Sequence, residues 1–357
     1  MTSDKKTFST RDLLVYGISV LVAGLFLYLA FSGIDTDDFI RQITHVSVPW
    51  LLVFSFLLFF SHWARAYRWK VILGELGKDV PTLNLFGAVV IGYGLNNVIS
   101  RLGEVARAVS VAKTDNVSAS SVIGTVVVER SIDILLFALA VLISAVLYGS
   151  TIFDKFPWLM PTIIIGFVFF LILLLVFILT IRMKERFTRI LVKVISIAAP
   201  VFAIKVGHLF ERIIEGFGSL KGAKNYTKVL LSSAVIMLTY AAGSYICFYV
   251  MRFDEIPAYE SVITFGTAWI LLSISSISMM IPTPGGIGAY HAITKSVLVL
   301  LFGFQGSHAI AYATLNHGVS YILHILVTIG FFIYFRNRYE GFRVSSLLTL
   351  KTGREQV

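Results

Sequence analysis

Cysteine occurs once in 357 residues, at position 247, so neither a disulfide framework nor a thiolate metal site can be built. Charge is scarce as well: Asp, Glu, Lys and Arg make up 14% of the chain, against about 25% in an ordinary soluble domain. Nucleotide and hydrolase signatures are missing. There is no Gly-x4-Gly-Lys-Ser/Thr loop, no strand followed by Gly-x-Gly-x-x-Gly, no His-Glu-x-x-His and no Gly-x-Ser-x-Gly. These absences exclude a pump driven by its own ATPase and leave no cofactor or metal site to expect. What is abundant is apolar surface, at 57% hydrophobic residues and a mean hydropathy of +0.84. Eight spans of about 20 residues each, with their loops, leave no room for a soluble enzyme domain.

The reading is therefore an all-α polytopic membrane protein of about eight helical segments. Residues 1–148 form a first transmembrane half, with spans at 13–31, 48–70 and 119–148 and a re-entrant segment at 82–111. Residues 157–335 form a second half, with spans at 162–181, 229–251 and 309–335 and a broken segment at 261–303. Between them, 185–220 reads as an amphipathic cytoplasmic linker, and 336–357 as a basic cytoplasmic tail. The stretch from Leu13 to Phe31 is too long for a signal-peptide core, and Asp35, Asp37 and Asp38 follow it where small residues should be. It is expected to be a retained span.

Loop charges set the orientation. Residues 182–228 carry ten Lys/Arg against three Asp/Glu, while 32–47 and 252–260 are net acidic. A cytoplasmic excess of basic residues places both termini inside, and the net charge of +10 reads as this bias rather than as nucleic-acid binding. Parity then requires 82–111 to begin and end on the inner side, and 261–303 to begin and end on the outer side. Each is a re-entrant hairpin or a pair of short crossings, because irregular backbone is tolerated at membrane depth where protein or water satisfies it. Two halves of like composition and opposite orientation make an inverted-topology repeat, an organisation that places binding sites where broken helices meet near the midplane. In this count, residues 64–81 are a cytoplasmic loop, and Trp50, Trp63, Trp69 and Trp158 are interfacial aromatics at span ends.

Two constellations carry candidate chemistry. The first runs from Asn96 through Arg101, Gly103, Glu104 and Arg107, and continues with Glu129, Arg130 and Asp133 at the start of a span. An ionisable residue at a helix centre costs about 2.5 to 3.5 kcal/mol on the insertion scale, so such residues persist when they pair, face water or do work. Three arginines against three carboxylates predict a one-to-one network. One guanidinium, Arg101 first, could exchange its partner for a lipid phosphate, which it would hold through two parallel hydrogen bonds. The second is Pro282-Thr-Pro-Gly285-Gly286-Ile-Gly288-Ala-Tyr-His291, with Lys295 one turn on. Prolines end the incoming helix, and the next helix is expected to offer uncovered N–H groups to an anion. A hinge is the alternative. Glu104, Glu129, Asp133, His291 and Lys295 are the candidates for a charge network that could carry protons. His317 and His324 read as polar packing between helices.

At these two constellations the chain resembles the lysylphosphatidylglycerol synthase transmembrane region, a flippase-like family with many stand-alone prokaryotic members. The likeness rests on Asn96, Arg101, Gly103, Glu104 and Arg107, then Glu129, Arg130 and Asp133, then Pro282, Pro284, Gly285, Gly286 and Gly288, and spans about Leu13 to Tyr334. Two positions depart from the family pattern: Ile99 or Ser100 replaces a proline, and His291 or a neighbour replaces a glutamate. The second departure puts a carboxylate role there in doubt.

The resemblance implies binding of a phospholipid or polyprenyl-linked lipid and its movement between leaflets of a prokaryotic cytoplasmic (inner) membrane. The expected headgroup site is Asn96, Arg101, Arg107, Arg130, Gly285, Gly286 and Gly288, and the headgroup is anionic or aminoacylated. Membrane lipids are then the partners, with a second copy of the chain or a lipid-modifying enzyme as further candidates. The alternatives are a membrane-embedded glycosyl- or phosphotransferase using Glu104, Glu129 or Asp133, and a non-transporting partner of a lipid-modifying enzyme.

Overall fold

A computed structural model describes residues 10–74, 79–99, 102–155, 185–200, 223–281 and 283–343, with single positions in 161–183 and 203–207. The expected span at 162–181, most of the linker beyond residue 200, Trp158, Arg101 and Pro282 thus lie largely or wholly outside the described residues. Among those residues the protein is helical, with no strand. The helices are α1 (Thr10–Phe31), α2 (Thr36–Thr44), α3 (Val48–Leu73), α4 (Thr82–Val98), α5 (Leu102–Asp115), α6 (Ala119–Lys155), α7 (Glu185–Ala198), α8 (Ala223–Val250), α9 (Phe265–Ser275), α10 (Ala289–Phe302) and α11 (Gly306–Arg338). Four segments, Val48–Leu73, Asn225–Val250, Pro284–Phe302 and Gly306–Arg338, are long and apolar enough to cross a membrane. A fifth is added if α1 and α2, bent by 98° at their junction, count as one span.

The acidic connection after α1 contains a helix that the composition does not announce. Asp35 caps α2, its carboxylate accepting from the N–H groups of Asp37 at 3.0 Å and Asp38 at 3.2 Å. That helix lies against α11, where Asp38 accepts from the Ser307 hydroxyl and Gln42 meets His308 at 2.9 Å. Tyr259 completes the cluster, with its oxygen 2.8 Å from His308 Nδ1. Burial pushes its phenol up, so it stays protonated at neutral pH.

Both broken segments are helical hairpins. α4 and α5 run antiparallel in close contact: Asn84 near the start of α4 donates to Asp115 at the end of α5, and Gly92 meets Gly103 near the break. A Cβ on Gly103 would fall inside the Gly92 carbonyl oxygen, so only glycine permits this approach. At 17 and 14 residues, these helices extend roughly 26 and 21 Å, each short of the roughly 30 Å hydrocarbon core. α9 continues as 3-10 turns through Met280, and after the Pro284–Gly286 turn α10 packs back on it.

The packing is reciprocal between the two parts of the chain. α3 lies along α8, α4 lies against α11, and α9 lies against α6. α7 keeps Arg186, Arg189 and Lys193 exposed beside an exposed apolar row of Ile190, Val194 and Ile197.

Candidate functional site

The site grows from one face of α3. His62, Arg65, Trp69 and Ile72 follow a helical spacing, and all are buried, as is Arg68 beside them. Facing them, α6 presents Thr125, Glu129 and Asp133, each four residues from the last. Trp69 Nε1 donates to Thr125 Oγ1 at 3.0 Å and locks the two helices in register. That register brings Arg65 Nη1 to Glu129 Oε1 at 2.7 Å and to Asp133 Oδ2 at 2.6 Å. Arg68 Nη2 reaches Asp133 Oδ1 at 2.5 Å and Glu129 Oε1 at 3.2 Å. From α5, Arg107 Nη2 donates to Glu129 Oε2 at 2.6 Å, and its guanidinium lies 4.7 Å from the centre of the Trp69 ring. α8 closes the network, with Tyr240 accepting from Arg65 at 3.0 Å and Ser233 accepting from Arg68 at 3.0 Å.

Three sequence expectations are corrected by this arrangement. Residues 64–81 are not a loop throughout: α3 continues to Leu73, and Arg65 and Arg68 are core residues. Trp69 is not interfacial but fully buried. The one-to-one balance fails with them, because four described arginines (65, 68, 107 and 130) share three carboxylates (104, 129 and 133). Among the described residues the cluster therefore carries one excess positive charge. The one signal that marks them is the spacing of His62, Arg65 and Trp69, which continues the buried face of α3 past the tryptophan at 63.

Arg130 differs from the other three. Its side chain is 32% exposed, against 0 to 2% for Arg65, Arg68 and Arg107. Its ion pairs are long, 3.3 Å to Glu104 and 3.6 Å to Asp133. Glu104 and Arg130 open together into a cleft of about 300 Å³ between α5 and α6, walled otherwise by Val105, Ile123, Val126, Val127, Ser131 and Ile134. Such a cleft offers one guanidinium and one carboxylate on an apolar wall.

Asn96 is placed beside this cleft but is already engaged. Its Oδ1 accepts from Gly103 N at 2.7 Å, and its Nδ2 donates to Glu104 at 3.3 Å. It holds the start of α5 and aims the carboxylate rather than presenting a free amide.

The glycine turn meets the first hairpin. Gly285 lies against Asn97, and Tyr321 OH donates to Asn97 O at 2.9 Å. Three of its backbone N–H groups are used locally: Gly286 donates to Thr283 O, Ile287 to Pro284 O and Gly288 to His291 Nδ1. α1 covers the start of α10, where Gly288 faces Ala23 and Phe26. Gly285, Gly286 and Gly288 therefore build a close junction, with Gly285 O accepting from His317 Nε2 at 2.7 Å. His291 caps that turn. Lys295 points to the other end of α1, donating to Ala30 O at 2.7 Å and to Ser32 O at 3.4 Å.

A family model, the lysylphosphatidylglycerol synthase TM region, matches residues 16–328. A UPF0104 membrane protein of Methanocaldococcus jannaschii is 23% identical over 316 residues, covering 86% of this chain and 90% of the relative. A second UPF0104 membrane protein, from Methanothermobacter thermautotrophicus, is 24% identical over 313 residues, covering 82% and 85%.

Proposed function

The chain belongs to the lysylphosphatidylglycerol synthase TM region family, and from that premise we propose that it is a multi-pass lipid transporter of a prokaryotic inner membrane, holding a lipid headgroup at Arg130. The observation that carries this reading is the contrast among the arginines. Three are buried and held by contacts of 2.5–2.7 Å to Glu129 or Asp133, whereas Arg130 opens with longer ion pairs into an apolar-walled cleft. A phosphate could replace the long contact to Glu104 and reach Arg130 through paired N–H groups, while acyl chains remain against valine and isoleucine. The excess positive charge of the cluster favours an anionic group there.

The reciprocal packing of α3 with α8, α4 with α11 and α9 with α6 is what an inverted repeat would produce, and in such folds alternating access comes from one half rocking on the other. No nucleotide is needed. The protein would equilibrate lipid or use the membrane potential, which supplies about 2.3 kcal/mol per charge per 100 mV and drives an anionic lipid outward when the interior is negative. A transferase reading requires carboxylates free of arginine, and Glu104, Glu129 and Asp133 each face at least one.

The test is leaflet exchange of fluorescent phosphatidylglycerol in liposomes holding the purified full-length protein. Exchange above protein-free vesicles, lost in Arg130→Ala, supports the proposal. Equal rates in wild type, variant and empty vesicles overturn it.

A further inference from the structure

His62 on α3 and His324 on α11 meet ring to ring in the core. Their Nε2 atoms are 2.7 Å apart, and Tyr93 from α4 stacks on both rings, with centroids at 4.5 and 5.1 Å. Both histidines are buried. Only one of the two facing nitrogens can carry a hydrogen in such a bond, so the neutral pair consists of one donor and one acceptor imidazole. His62 Nδ1 is buried without a hydrogen-bond partner. A hydrogen there would have nothing to donate to, which makes His62 the donor through Nε2 and His324 the acceptor.

We propose that this imidazole pair is the proton-binding site that couples to lipid movement, an inference that rests on the transport reading above. An added proton must go to a bare ring nitrogen. On His62 Nδ1 it finds no acceptor in this conformation, and the resulting cation would lie one helical turn from Arg65. Of the groups that face the pair, Arg65 on α3 repels that charge, with Arg130 on α6 behind it; Glu129 and Asp133 on α6 would favour a cation but are already engaged by Arg65, and Tyr240 on α8, Tyr93 on α4 and His317 on α11 are uncharged neighbours.

The conformation seen here is thus the proton-free one. Binding a proton favours a state in which α3 and α11 part and the rings reach other acceptors. Those two helices belong to opposite halves of the chain, so their separation is the motion that a rocking mechanism needs. By linkage, a ligand that binds the parted state more tightly raises proton affinity, and the proton raises ligand affinity by the same factor.

The experiment uses full-length protein in liposomes and two readouts. Exchange of labelled phosphatidylglycerol is followed from about pH 5 to 8 for wild type, His62→Gln and His324→Gln. Exchange is expected to rise on acidification in wild type, by up to about tenfold per pH unit, the slope of one titrating site, and to persist with a flat profile in both variants. Identical profiles in all three, or a flat wild type, overturn the proposal. In parallel, nitrogen magnetic resonance of labelled histidines in bilayers of phosphatidylcholine, with and without phosphatidylglycerol, reads the pair directly. A third N–H gained on acidification, shifted by phosphatidylglycerol and absent from both variants, supports the site even if transport itself fails. Rings that keep two hydrogens throughout overturn it even if transport is observed.

Discussion

Asn97, near the C-terminal end of α4, lies against Gly285 in the turn that leads to α10: a Cβ on Gly285 would stand 3.1 Å from Asn97 Cα and 3.1 Å from the Tyr321 ring. One residue earlier, Asn96 turns the other way and holds Gly103 and Glu104. Adjacent residues of one helix thus join the glycine turn of the second hairpin to the Arg130 cleft of the first.

This junction makes Gly285 sensitive to any side chain. It has a φ of +59° and neighbours at the contact limit, whereas Gly303, at φ +70°, faces open space. Gly285→Val is expected to lower stability by about 1–3 kcal/mol through backbone strain and crowding and to slow lipid exchange. Gly303→Ala bears only the backbone part and should leave exchange unchanged. Denaturant unfolding in detergent, paired with the exchange rate, separates the two.

Glu129 accepts from three guanidiniums with no exposed surface. Glu129→Gln removes the charge that offsets Arg65, Arg68 and Arg107, and breaking one side of a buried pair costs about 3–5 kcal/mol. The expected outcome is a large fall in the unfolding midpoint, or a protein that does not accumulate. A variant with wild-type stability would show that the network is not closed as described.

Arg130 should behave in the opposite way. Being partly exposed and loosely paired, it contributes little to the fold, and Arg130→Ala is expected to change stability by about 1 kcal/mol or less. Its effect should fall on lipid exchange. Arg130→Lys keeps the charge but loses the planar fork, so it should retain intermediate activity, read in the same liposome assay.

The ionisable residues inside α6 and α5 were legible because Glu129, Asp133 and Arg107 interrupt apolar or glycine-rich stretches, where a charge needs a partner. Their partners on α3 were not, because the count of loop charges assigns 64–81 to the cytoplasmic side although the expected span runs to residue 70. Only their register with His62 and Trp69 marks them as core. The break at 282–288 was equally legible from proline and glycine. The fate of its backbone donors was not, since the use of Gly286 N by Thr283 O and of Gly288 N by His291 depends on turn geometry and on α1 lying over it. Likewise, Asp35, Asp37 and Asp38 were read as loop charge, although an aspartate followed by acidic first-turn residues is also a helix start.

Lys295 fastens α1 by donating to Ala30 O at the end of that helix, where a cation also meets the negative end of the helix dipole. Lys295→Met is expected to cost about 1 kcal/mol and to loosen α1 specifically. Hydrogen exchange should rise in residues 23–31 and stay unchanged in α3 and α6.

The most direct test of the headgroup site is a photo-crosslinking residue at Ile134, on the cleft wall beside Arg130, activated in bilayers containing phosphatidylglycerol. Mass spectrometry should find a phospholipid adduct at that position, strongly reduced by Arg130→Ala while protein folding is retained. An adduct of equal yield with and without the arginine, or none in either, would contradict the proposal that Arg130 holds the lipid.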